Sequence, residues 1–138
     1  MNCPVCREPM IVLELDQVEV DHCLSCKGVW LDQGELELIL KSAARKDRLL
    51  SSFERERYSK EKARKCPICM RKMEKFLCGE KNSVRIDRCP KLDGLWFDVR
   101  ELEQLADSAG FAGNSEVAQL LKDMFGKTMG TTEQGGIR

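Results

Sequence analysis

Seven of the eight cysteines fall in one pattern written twice, and a chain built that way has few ways to fold. The first copy is Cys3-Pro4-Val5-Cys6, fourteen residues, then Asp21-His22-Cys23-Leu24-Ser25-Cys26-Lys27-Gly28-Val29-Trp30-Leu31-Asp32-Gln33-Gly34-Glu35-Leu36. The second is Cys66-Pro67-Ile68-Cys69, seventeen residues, then Asp87-Arg88-Cys89-Pro90-Lys91-Leu92-Asp93-Gly94-Leu95-Trp96-Phe97-Asp98-Val99-Arg100-Glu101-Leu102. Each copy spans roughly 40 residues, a size that seldom buries enough apolar surface to fold without disulfides, a metal or a partner.

The spacing selects the metal. C-x2-C-x16-C-x2-C lies in the range of zinc sites, because a two-residue gap lets both thiolates of one turn face one ion. Disulfide frameworks belong to secreted chains. Residues 1–10 lack a basic start followed by an apolar run, and no stretch approaches the length of a membrane span. The expectation is a cytoplasmic, reducing setting with no membrane. Two zinc ions per chain are expected, the second held more weakly.

Cys3, Cys6, Cys23 and Cys26 form the first ligand set. With four protein ligands the site is closed and its role structural. The second set starts with Cys66, Cys69 and Cys89, but Leu92 stands where Cys26 would align. Asp93, one residue on, is the leading fourth donor; Cys78 and water are the alternatives. Cys78 aligns with Leu15, on a strand that should face away from the cage. His22 adjoins Cys23 and is not expected to ligate.

Around these cages the pattern reads as α+β. Ile11-Val12-Leu13-Glu14-Leu15 and Val18-Glu19-Val20 alternate as two strands about a turn at Asp16-Gln17; Phe76, Leu77, Val84 and Ile86 supply the second hairpin. Asp32 with Glu35, and Asp98 with Glu101, have capping-box spacing before Leu36 and Leu102, so a helix should close each ribbon, with each Asp accepting from the helix N-terminus. Trp30 and Trp96 read as core rings bridging cage, hairpin and helix, in preference to base-stacking platforms. The expected organisation is a first ribbon with its helix over 1–40, a charged helical linker over 41–65 and a second ribbon with its helix over 66–109. A C-terminal amphipathic helix over 110–126 and a disordered tail over 127–138 would follow.

C-P-x-C … D-x-C-x-x-C-x-G-x-W-x-D-x-x-E-L resembles the transcription factor IIB-type zinc-finger family of small zinc ribbons. The first repeat matches throughout, from Cys3 to Leu36; the second matches except at the Leu92–Asp93 step. The resemblance implies a zinc ribbon. Some family members place a histidine ligand at the second knuckle, where this chain has Asp93.

Formal net charge is zero, yet residues 41–75 hold thirteen bases and five acids, while residues 1–40 hold two bases and eight acids. A protein-binding adaptor, with a link to transcription by analogy of fold alone, fits the acidic ribbons. The alternative is nucleic-acid binding through the basic linker, with Arg45, Lys46, Arg48, Arg55, Arg57, Lys62, Arg64 and Lys65 as candidates; otherwise these residues coat a solvated helix, paired as in Glu56 with Lys60 and Glu61 with Lys65. Leu49, Leu50 and Phe53 could make a short dimer contact, but no oligomeric state follows. An enzyme is not expected: H-x-E and H-E-x-x-H are absent, and each C-P-x-C leads into a strand where a redox motif would open a helix.

Overall fold

A computed structural model describes residues 1–15, 17–79, 81 and 83–110. The expected helix over 110–126 and the tail over 127–138 lie, apart from Gly110, outside the described residues.

Each repeat contributes three strands. In the first they are β1 (Ile11–Leu15), β2 (Val18–His22) and β3 (Val29–Asp32), followed by helix α1 (Glu35–Ile39). The segment between repeats holds α2 (Lys46–Leu50) and the two-residue strand β4 (Glu54–Arg55). The second repeat adds β5 (Glu74–Cys78), β6 (Val84–Arg88), β7 (Gly94–Phe97) and helix α3 (Glu101–Ala109). All pair antiparallel in one seven-stranded sheet, ordered β1-β2-β3-β7-β6-β5-β4.

The two repeats therefore share a sheet, joined where β3 lies against β7. Trp30 sits opposite Trp96, Val29 opposite Phe97 and Leu31 opposite Leu95. Trp30 and Trp96 are equivalent positions, so the pairing runs about an internal two-fold centred on them, as at the isologous interface of a dimer.

Alternation along these strands sorts side chains to two faces. Val29, Leu31 and Phe97 join the core beneath the helices, with Leu36, Ile39, Leu49, Leu102 and Leu105. Trp30 and Trp96 face the other way and pack with Cys3, Cys23, Cys66, Met73 and Cys89. Both indoles are fully buried, at 0% exposure. Burying one such ring stabilises by about 2–3 kcal/mol.

Two glycines make the centre possible. A Cβ on Gly28 would lie 2.1 Å from Cζ2 of Trp96. One on Gly94 would lie 2.6 Å from Cζ2 of Trp30 and 2.2 Å from the Leu31 carbonyl oxygen. Each repeat's G-x-W supplies both a ring and the space for the other repeat's ring.

The charged helical linker expected over 41–65 is helical over only a small part of that span. Residues 46–50 alone are helical, and the chain turns before and after them. Ala43 and Leu49 enter the common core, with the partly buried Leu50 and Phe53 packed against it, so these side chains serve the fold of the single chain. Arg45 explains the break. Its backbone N–H donates to the Ala109 carbonyl at 2.7 Å and its Nε to that of Ser108 at 3.0 Å. A cation there satisfies the C-terminal carbonyls of α3 and suits its dipole.

The anticipated linker pairs do not form either. Glu56 accepts from Nε and Nη2 of Arg85 at 2.6 and 2.8 Å, and Glu61 pairs with Arg85 and Lys75. Tertiary partners on β5 and β6 replace the i,i+4 partners a helix would have supplied. The capping devices are also half realised. Glu35 accepts from the Asp32 N–H at 2.7 Å and Glu101 from that of Asp98 at 2.9 Å. The aspartates cap no helix; their carboxylates accept from the indole N–H of Trp30 at 2.8 Å and of Trp96 at 3.0 Å.

Candidate metal centres

Each cage is assembled from two tight turns. In the first, the Cys3 N–H donates to the Glu8 carbonyl at 2.8 Å, and the Arg7 N–H returns to Cys3 O at 2.9 Å. In the second, Cys23 N–H donates to Gly28 O at 3.0 Å and Lys27 N–H to Cys23 O at 2.8 Å. Arg7 and Lys27 take positive φ, 66° and 67°, which bends each chain back towards its cysteines. Hairpin β1–β2 carries the turns to one place. The sulfurs of Cys3, Cys6, Cys23 and Cys26 lie within 4.8 Å of one another, and Cys3 and Cys26 are 3.6 Å apart. That is far beyond a disulfide bond. It is close to the edge, about 3.8 Å, of a tetrahedron with sulfurs 2.3 Å from a central ion.

Backbone donors already point at the sulfurs. Cys3 Sγ accepts from the N–H groups of Val5 and Cys6, both at 3.3 Å. Burial pushes the Cys23 thiol up, but the N–H groups of Cys26 and Ser25 and the neighbouring thiols outweigh it and bring it down to about 7. Burial raises Cys6 and Cys26. With no cation, crowded thiols cannot all ionise; a divalent ion removes that penalty.

The second centre repeats the first with one change. Cys66, Cys69 and Cys89 converge with Asp93, again within 4.8 Å. Cys69 and Cys89 sulfurs stand 3.6 Å apart, and Asp93 Oδ2 lies 3.4 Å from Cys89 Sγ and 3.6 Å from Cys66 Sγ. The turn accounts for the substitution. Positive φ falls on Leu92, at 63°, one position earlier than at the equivalent Lys27, and Leu92 N–H closes on Cys89 O at 2.9 Å. The tighter turn points Leu92 to solvent and brings Asp93 to the cage. The thiols, Cys69 foremost, hold the Asp93 carboxyl below its usual range. Burial pushes Cys66 up to about 12.

Cys78 is elsewhere. It is fully buried among Val84, Ile86 and Leu105 in the core under the helices, and burial raises its thiol to about 12. His22 is also outside both donor groups; its Nδ1 donates to Gly28 O at 3.1 Å, bracing the second turn of the first cage.

The sequence model of the transcription factor zinc-finger, of the transcription factor IIB ribbon type, matches residues 2–42 and again 65–108, together more than half of the chain. The chain belongs to that family. Searches of curated proteins and of solved structures gave no match. Tandem membership agrees with the two cages, and the zinc finger's four-donor arrangement is present in both, one with a carboxylate as its fourth donor.

The basic candidates do not share a surface. Arg45 is engaged on α3, Lys46 and Arg48 lie on α2, and Arg55 pairs with Glu74 at 3.1 Å. Arg57 is exposed. Arg45 and Arg48 flank one cavity, Arg55 and Arg57 another that glutamates also line, and Lys62, Arg64 and Lys65 converge in a cleft beside the first turns of both cages. Arg7 and Lys72 complete that group. They escaped notice in the sequence because they lie 65 positions apart, one in each repeat.

Proposed function

We propose that this transcription factor zinc-finger is a zinc-stabilised interaction protein. Each cage holds one zinc ion, and the folded pair of ribbons presents surfaces to a protein partner without catalysing a reaction. The observation that carries this reading is two sets of four donors gathered at tetrahedral spacing. Sulfur-rich sets of this kind suit zinc over hard cations. Four protein ligands leave no position for a reacting water, which favours a structural over a catalytic role. The thiols must stay reduced to bind, in keeping with a cytoplasmic setting. A link to transcription rests on the family's name alone.

Native mass spectrometry of untagged protein tests the reading. Two zinc ions per chain are expected, with loss of the cooperative melting transition after chelation. A metal-stripped sample that keeps its full transition would refute it. Nucleic-acid binding is the second reading, favoured by the convergence of Lys62, Arg64 and Lys65. It requires an affinity for generic DNA or RNA that falls steeply with salt.

A further inference from the structure

The cleft beside the two cages combines cations with an apolar wall. Its volume is about 570 Å³, within the range of sites that enclose a ligand or a short peptide side chain. It is walled by the first turn of each repeat and by residues 62–65. Five cations line it: Arg7, Lys62, Arg64, Lys65 and Lys72. Among the described residues no carboxylate lines it, although the chain carries as many acids as bases. None of the five cations takes part in an ion pair among the described residues. Arg64 Nε is buried with no hydrogen-bond partner among the described residues, and its charge also acts on the buried Asp87.

The remaining wall is apolar, with Met1, Pro4, Val5, Ala63, Pro67 and Met70. Met1 and Met70 are 48% and 61% exposed. Exposed methionines beside an apolar floor adapt to aliphatic or aromatic side chains of varied shape. Gathering five like charges is unfavourable until an anion neutralises them.

We propose that this cleft binds an acidic peptide segment of a partner protein, with an apolar side chain on the floor and carboxylates against Arg7, Lys62, Arg64, Lys65 and Lys72. A single-stranded nucleic acid fits less well. Among the described residues no aromatic side chain lines the cleft, and both tryptophans are fully buried, so those residues offer bases no stacking platform. The proposal rests on the interaction-protein reading above and names the chemistry of its partner.

The test uses the full zinc-loaded chain, with loading and fold confirmed first by native mass spectrometry and circular dichroism. Fluorescence anisotropy is measured with three labelled probes. One is a peptide of about ten residues, Asp and Glu flanking a central Leu-Phe pair. The second is the same peptide with Asn and Gln replacing the acids, and the third is an oligothymidylate of similar length. The acidic peptide should bind, and the neutral peptide and oligonucleotide should bind at least about tenfold more weakly. The exposed triple reversal Lys62→Glu, Lys65→Glu and Lys72→Glu should abolish binding. The control reversal Lys41→Glu and Lys46→Glu, outside the cleft, should leave it unchanged. Met70→Asp should weaken binding at least about tenfold by placing a charge on the floor.

A folded, loaded protein that ignores the acidic peptide overturns the cleft proposal while the zinc-dependent fold stands. Equal loss in the Lys41/Lys46 variant, or tighter binding of the oligonucleotide, overturns it too. Failure to load zinc at all strikes the earlier reading instead.

Discussion

At the scale of single residues, Asp93 and Glu101 carry the sharpest consequences. Asp93 meets the cage because the turn before it closes one position early. Asp93→Ala should therefore lose one zinc ion in native mass spectra, whereas Cys78→Ser should keep both. The latter should still lower stability by about 1–3 kcal/mol, since it puts a hydroxyl into an apolar core. The opposite metal pattern would make Cys78 the ligand. Glu101 is a different case. Burial, with Asp98, Asp87 and Glu61 nearby, raises its carboxyl from 4.5 to about 8, despite the Asp98 N–H that favours the ionised form. The folded state therefore holds a proton that the unfolded state has released. Its stabilising effect is complete below pH 4.5 and is lost progressively as pH rises to about 8. Denaturant midpoints of zinc-saturated protein should show Glu101→Gln with a flatter dependence across that window than the parent. Identical pH slopes would exclude a neutral Glu101. Asp93 was legible as a donor from its place beside the expected knuckle position. The neutral state of Glu101 was not, because it depends on packing from β6 and the linker.

At the scale of elements, the β3–β7 junction holds the molecule together, and its glycines divide into two kinds. Gly28→Ala and Gly94→Ala would each drive a Cβ into a tryptophan ring, Gly94→Ala into backbone as well. Each should cost at least about 3 kcal/mol by chemical denaturation. Gly34 has φ 91° but open space around it, so Gly34→Ala should cost only about 1 kcal/mol of backbone strain. Similar losses at all three sites would argue against the interlocked rings. Hairpin β1–β2 was readable because Glu14 and Glu19 alternate with apolar neighbours and meet solvent, and β5–β6 from its apolar residues, since its Lys75 and Asp87 are buried. Strands β3 and β7 were not, since Val-Trp-Leu and Leu-Trp-Phe are buried on both faces and show no polar alternation. The linker misled for a related reason. Its helix-favouring composition is real, but Arg45, Glu56 and Glu61 find stronger partners on α3, β5 and β6.

At the scale of the whole molecule, one sheet runs through both repeats, so seven strands and two cages should unfold as one cooperative body. Breaking the first cage by Cys23→Ser should speed amide exchange in β5 and β6 as well as in β1 and β2. Retained protection in the second half would mean that the repeats fold independently. What the amino-acid order determined by itself is local: the cysteine turns with their donors, the hairpins and the helices that close each ribbon. These depend on neighbours a few residues apart, and the chemistry of thiolates leaves little choice among them. Only the tertiary structure decided that two ribbons become one sheet, that each tryptophan fills a gap left by the other repeat's glycine, and that scattered cations meet beside the cages. The sheet and ring contacts join residues more than 60 positions apart, and Arg7 meets the other cations across at least 55; no periodicity along the chain records which distant surfaces will exclude water together.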